Sequence, residues 1–225
     1  KELLNKVSVD QGRRPYDVVI LPGLKQVPSG AGKALTAFVQ AGGGLLLFLG
    51  EEISVNRYNN EFRDLLPAQL GNPEPYPDVG SGWRISEFDT NMTAFAVFGR
   101  PNSGDLHIPQ FTKRCLLTTA EGASQLALFD DALPLLVTRS VGRGRVALVN
   151  TSADASWTDW PKHKTYVPWL HGLGKHLGQK AGQDRLQETN SFVAGDDFEV
   201  ELGSAAGKSQ FKLARLLIIK LYLLE

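Results

Sequence analysis

A single cysteine, Cys115, stands among 225 residues, which excludes an intramolecular disulfide and any cysteine-rich metal site. It leaves the compartment open, since a reducing cytosol and an oxidising periplasm both tolerate a lone thiol. An excess of charge is also lacking. The 24 basic residues balance 24 acidic ones, so no global field draws in nucleic acid, anionic lipid or an acidic substrate. No apolar run is long enough to span a bilayer. Residues 213–224 are strongly apolar, but Arg215 and Lys220 interrupt them and they fall short of the ~20 residues a spanning helix takes. They read as a terminal helix or strand, or as residues foreign to the native protein, with a membrane-proximal end as the sharper alternative. The first ten residues are polar with a helical pattern, unlike the basic start and apolar run of a signal peptide. The chain is accordingly expected to begin inside a larger protein.

What is present is a repeating unit of buried strand and amphipathic helix, in a length that supports one main domain. YDVVIL, residues 16–21, is a short β-branched run that stops at Pro22 and Gly23, as a buried parallel strand does. Ser29 is placed to cap a helix in which Leu35, Phe38 and Val39 share a face, and Gly42, Gly43 and Gly44 end it. Leu45 to Leu49 is the next strand. Two strands joined by a helix form a right-handed crossover, and that predicts an open parallel sheet with helices on both faces.

The middle of the chain is less regular. Residues 56–66 predict a helix with Tyr58, Phe62, Leu65 and Leu66 turned inward, and the proline- and glycine-rich residues 71–82 predict an irregular connection. Trp83 to Phe88 is a candidate strand. Then 114–119, 124–129, 133–140 and 145–151 are short apolar or alternating runs between Gly or Asp turns, which predicts an antiparallel extension with Gly142-Arg143-Gly144 as a hairpin turn. A helix over about 167–177 carries Trp169, Leu170, Leu173 and Leu177 as a buried stripe. The composition changes at 178–184, giving a main domain over 1–178 and a β-rich segment over 179–225. Within that segment, residues 191–202 alternate like a hairpin around Gly195 and Asp196 and look like the start of a further β-domain.

Taken together, YDVVILPG, AFVQAGGGLLLFLG, RYNNEFRDLLPAQLG, ALPLLVTRSVGRGRVALVNTSAD and WTDWPKHKTYVPWLHGLGKHL resemble a class I glutamine amidotransferase-like domain over residues 16–177. More narrowly, they resemble the version found in large bacterial membrane proteins of the BatA type, beside a von Willebrand factor A domain. The resemblance implies a three-layer α/β/α, flavodoxin-like open sheet on the periplasmic or extracytoplasmic side of the inner membrane. It also implies partners among the other domains or proteins of a membrane-anchored assembly. Direct membrane insertion by this fragment is not expected, nor is a nucleic-acid partner.

The same resemblance permits a test for catalysis. Glutamine hydrolysis by this class passes through a thioester on an elbow cysteine, with a histidine base oriented by a carboxylate. The matching corner here is Leu49-Gly50-Glu51, which has no nucleophile, and the matching strand end, Asn150-Thr151-Ser152-Ala153-Asp154, has no histidine. The domain reads as a pseudoenzyme. Cys115 lies in an apolar run away from any elbow and is expected to be a small core hydrophobe. His171 and His176 are five apart on a helix, the wrong spacing for one metal, while His107 and His163 sit in turns, so neither a metal nor a cofactor is expected.

The remaining polar residues predicted at the carboxyl edge of the sheet are the candidate ligand-binding set: Glu51, Glu52, Asn56, Arg57, Ser152, Asp154 and Asp159, with Lys25 nearby. In one reading Glu51 or Glu52 pairs with Asp154 as acid and base of a hydrolase. In the plainer reading Glu51 and Glu52 favour a helix start through its dipole, Asp154 or Ser156 caps a turn, and Trp157 and Trp160 pack on the core, with carbohydrate stacking a lesser alternative. Ser29-Gly30-Ala31-Gly32-Lys33 and VGRGRV lack the spacing and context of a phosphate loop.

Overall fold

The computed structural model describes residues 16–25, 27–179 and, as backbone alone, 216–218. Two short strands buried on both faces organise the chain. In β1 (Val18–Pro22) and β2 (Gly44–Leu49), odd-numbered residues such as Val19, Leu45 and Leu47 enter one apolar cluster, while Val18, Ile20, Leu46 and Phe48 enter another. Side chains alternate across a strand, so both faces of the sheet are buried and each needs its own cover. The first face is covered by α1 (Ala31–Gln40), through Leu35, Phe38 and Val39, and by Tyr58 of α2 (Val55–Glu61). The second is covered by α3 (Tyr166–Gly178), whose Trp169, Leu173 and Leu177 are fully buried, each contributing about 2–3 kcal/mol of apolar burial. This is the expected three-layer α/β/α arrangement.

The strands not yet introduced are β3 (Ala68–Pro75), β4 (Ile85–Phe88), β5 (Lys113–Thr119), β6 (Ala123–Phe129), β7 (Pro134–Val141) and β8 (Gly144–Ser152). The main sheet has the order β4-β6-β7-β8-β2-β1, and a short β9 (Leu216–Ile218) lies parallel to β1 along its outer edge. β8 pairs parallel with β2 and antiparallel with β7, so it is the seam between the parallel half and the predicted antiparallel extension. All nine of its residues are buried, as befits a strand enclosed on every side. Near its end the register against β2 slips, from Phe48 opposite Val149 to Leu49 opposite Ser152. Such an irregularity re-aims the side chains around it. Asn150 uses this: its amide accepts the Cys115 N–H at 2.8 Å and donates to the carbonyls of Cys115 and Pro134 at 2.9 and 3.0 Å.

Cys115 belongs to β5, and here the structure departs from the sequence expectation. The 114–119 run does not join the antiparallel meander; β5 pairs with β3 in a separate two-stranded sheet. Residues 71–82 were expected to be irregular, yet their first part is strand. Pro73 and Pro75 have no N–H to donate, but a two-stranded sheet exposes one side of each strand, and the register shifts between Leu70 and Pro73. Asn59 of α2 secures that point, its side-chain amide donating to the Leu70 carbonyl at 2.8 Å and accepting the Leu70 N–H at 2.9 Å.

Two helix boundaries differ as well. Gly30, with φ 84°, precedes α1, and Ser29 does not cap it. Instead the Glu61 carboxylate accepts the N–H groups of Gly30 and Gly32 at 3.1 and 3.3 Å, an anion at a helix start where the dipole favours it. α2 stops at Glu61 rather than at residue 66, although Phe62, Leu65 and Leu66 still turn inward through tight turns. The helix expected at the start of the chain and the hairpin at 191–202 lie outside the described residues. Among the described residues no helix is long and apolar enough to cross a membrane.

Candidate functional site

Parallel strands deliver their carboxyl ends to one edge, and there the turns after β1 and β2 touch. Gly23, at φ 73°, approaches so closely that a Cβ on it would stand 2.4 Å from the Leu49 carbonyl oxygen. Glu51 and Glu52 then form a turn, and α2 begins only after Ser54. The two carboxylates therefore precede the helix rather than occupying its first turn, and the expected dipole role passes to Glu61 at the other helix.

Glu51 is fixed from two sides. Its Oε1 lies 2.7 Å from Lys113 Nζ at the start of β5, and its Oε2 accepts the Trp157 indole N–H at 2.7 Å. The Lys113 hydrogen bond, then that of Trp157, holds the Glu51 carboxyl below the usual carboxylate range. Lys113 also sits 5.3 Å over the Trp157 ring. Glu52 pairs with Lys25 at 2.9 Å, with both side chains more than half exposed.

The loop after β8 is built from short-range bonds. Ser152 Oγ donates to the Asp154 carbonyl at 2.9 Å and accepts the Trp157 N–H at 3.0 Å. Asp154 Oδ1 accepts the Ser156 N–H and hydroxyl at 3.0 and 2.6 Å. Burial opposes ionisation of Asp154, but these Ser156 bonds outweigh it and lower its pKa. Asp154 thus caps its own turn. Asp159 accepts the Gln110 N–H at 2.7 Å and pairs with His163 at 3.2 Å, fastening the Trp160 loop. Asn56 and Arg57 are exposed on α2.

Of the seven candidates, the structure links Glu51, Ser152 and Asp154, and the link is Trp157. Both Trp157 and Trp160 are fully buried, which leaves no ring face for a carbohydrate. Sequence reasoning missed Lys113, whose partner is 62 positions away and leaves no local signal. It also missed Arg114. That guanidinium is only 4% exposed and lies 3.8 Å from the Trp83 ring centroid, between Glu74 at 2.9 Å and Asp131. Burial disfavours its charge, but Asp131 and Glu74 outweigh it and raise its pKa.

Chemically, the elbow offers no nucleophile, and the candidate carboxylates Glu51 and Asp154 are both shifted the wrong way for a general acid, which needs a raised pKa. Cys115 is buried, and burial pushes its thiol up to about 12, far from a reactive thiolate. Among the described residues no group of three or more His, Cys, Asp or Glu is arranged to hold a metal.

The layered mixed sheet, with its small separate antiparallel pair, matches the glutamine amidotransferase-like fold. Solved structures share that architecture. Cytoplasmic protein STM3548 from Salmonella typhimurium is 16% identical, with a TM-score of 0.60 over 76% of this chain and 75% of that one. Cytoplasmic protein STM1381 from Salmonella typhimurium LT2 is 17% identical, with a TM-score of 0.59 over 73% of each. A cold-adapted β-galactosidase from Rahnella sp. R3 is 21% identical, with a TM-score of 0.53 over 72% of this chain but 23% of its own. At such identities the likeness is one of fold. No protein-family model and no curated protein matches the sequence.

Proposed function

We propose that this domain is a catalytically silent member of the amidotransferase-like fold that senses a ligand or engages another protein within a membrane-anchored, extracytoplasmic assembly. The observation that carries this reading is the state of the elbow. The position that would hold a nucleophile is Gly50-Glu51, and Glu51 is tied to Lys113 and Trp157. The exposed polar and charged residues around it, Lys25, Glu52, Asn56 and Arg57, leave a mixed polar surface like the rim of a protein–protein interface. The extracytoplasmic placement rests on the sequence resemblance to BatA-type proteins; the names of the two Salmonella proteins describe those proteins.

Two measurements test the reading. Incubation of the purified chain with glutamine is expected to release no ammonia, and release that Cys115→Ala abolishes overturns the assignment. Fractionation of cells carrying the full-length protein is expected to recover it with the membrane, its domain open to external protease. Recovery in the cytoplasm overturns the placement.

A further inference from the structure

β1 is built as an interior strand but stands next to the end of its sheet. Val18, Val19, Ile20 and Leu21 are all buried, so both faces are covered, the pattern of a strand with parallel neighbours on either hand. β2 is the neighbour on one side, and on the other lies only β9. One bond fixes which backbone groups face which way. The Gly44 N–H donates to the Asp17 carbonyl at 2.8 Å, so Asp17, Val19 and Leu21 turn their main-chain groups to β2, and Val18 and Ile20 turn theirs outward. Pro22 closes the run, having no N–H to offer. With Val19 opposite Leu217, the parallel ladder sets the Leu217 N–H against the Val18 carbonyl and the Leu217 carbonyl against the Ile20 N–H.

Other edges among the described strands are closed by local devices. Asn150 satisfies both main-chain groups of Cys115 on β5, and Asn59 does the same for Leu70 on β3, where Pro73 and Pro75 follow. On β4, His107 Nδ1 lies 2.6 Å from the Ile85 carbonyl oxygen. β1 has none of the usual means of blunting an edge: no charge, no bulge and, before Pro22, no proline. Its cover comes instead from Leu216–Ile218, in an apolar stretch of sequence that Arg215 and Lys220 bracket.

We propose that the outer edge of β1 is a strand-docking site, and that its occupant is the chain's own segment around Leu216–Ile218, seated by main-chain bonds and replaceable by a free peptide of the same sequence. Strand addition of this kind takes its affinity from backbone pairing. It uses the flank of the sheet, not the elbow, and does not depend on the function proposed above. The test is native-state hydrogen exchange on the full chain, read at single amides. Leu217→Pro removes the N–H aimed at β1 and is expected to speed exchange at Ile20 by about tenfold or more, while Val19, bonded to β2, stays protected and reports an intact fold. Ile218→Pro, whose lost N–H faces away from β1, is expected to leave Ile20 protected. A synthetic peptide of residues 212–220, added to the Leu217→Pro chain, is expected to restore protection at Ile20 saturably; the same peptide carrying Leu217→Pro is expected not to. Unchanged exchange at Ile20 in the Leu217→Pro chain overturns the proposal, as does failure of the unaltered peptide to restore protection. Protection at Ile20 that rises with protein concentration gives the edge to a second copy and overturns the assignment of its occupant.

Discussion

Trp157 donates its indole N–H to Glu51 across 106 positions of sequence, joining the loop after β8 to the turn after β2. After the hydrogen bond from Lys113, this bond does most to hold Glu51 ionised, and it makes the elbow pH-sensitive in one direction. Because the folded-state pKa of Glu51 is depressed, its pairing stabilises the fold above the unfolded pKa and is lost as pH falls through the folded value. NMR titration is expected to place the Glu51 carboxyl below an ordinary glutamate. Trp157→Phe, which removes the donor and trims the buried indole to a smaller phenyl ring, is expected to move it upward and, because a cavity adds to the lost hydrogen bond, to cost about 2–4 kcal/mol in a denaturant melt. An unchanged titration removes the indole from the account.

Gly23 cannot carry a side chain. Its φ of 73° is disfavoured for other residues, and the Leu49 carbonyl occupies the place of a Cβ. Gly23→Ala is expected to destabilise the fold by about 1–3 kcal/mol. Gly50→Ala, where the added carbon meets its nearest neighbour at an ordinary 3.6 Å, serves as the control and is expected to cost much less. Equal losses in the two would mean that the close approach of the two turns is not what matters.

Asn150 is the most economical place to detach β5 from the main sheet. Its side chain satisfies the buried Cys115 N–H and two carbonyls, and Asn150→Leu strands those groups in an apolar layer. About 3 kcal/mol of stability is expected to go, with hydrogen exchange rising first at Cys115. A loss below 1 kcal/mol would argue that water replaces the amide.

Cys115 is expected to resist alkylation in the native protein at neutral pH and to react on unfolding, since it is buried and its pKa is near 12. Mass-spectrometric counting of modified thiol over time decides this. Native labelling at the rate of a free thiol would show that β5 opens readily.

The strands with strong local patterning were legible in the sequence because VVIL, LLLFL and RVALV are short, nearly unbroken apolar runs, as strands buried on both faces are. What escaped were decisions made by distant residues. β3 carries three features that argue against a strand, Gly71, Pro73 and Pro75, and it forms because β5 and the Asn59 amide hold it in place. Ser29 had the chemistry of a cap, but Glu61, from another helix, took the position. At the site, the candidates after β2 and β8 were legible from topology, while Lys113, which decides the state of Glu51, lies on a strand whose partner was misread. Local pattern names elements; it says little about which charge meets which.

The seam at β8 sets an order of events in folding. Its hairpin with β7 closes over Gly142 and Arg143, a contact that forms in about 1–10 μs, whereas its pairing with β2 joins segments about a hundred residues apart, such as Leu45 and Val146, and is slow in proportion to the loop entropy. The meander is therefore expected to form the nucleus, with β8 as the template on which β2 and then β1 assemble. Val149→Ala is expected to slow refolding, and Val19→Ala mainly to speed unfolding; stopped-flow chevrons with the reverse pattern would place the nucleus in the parallel half.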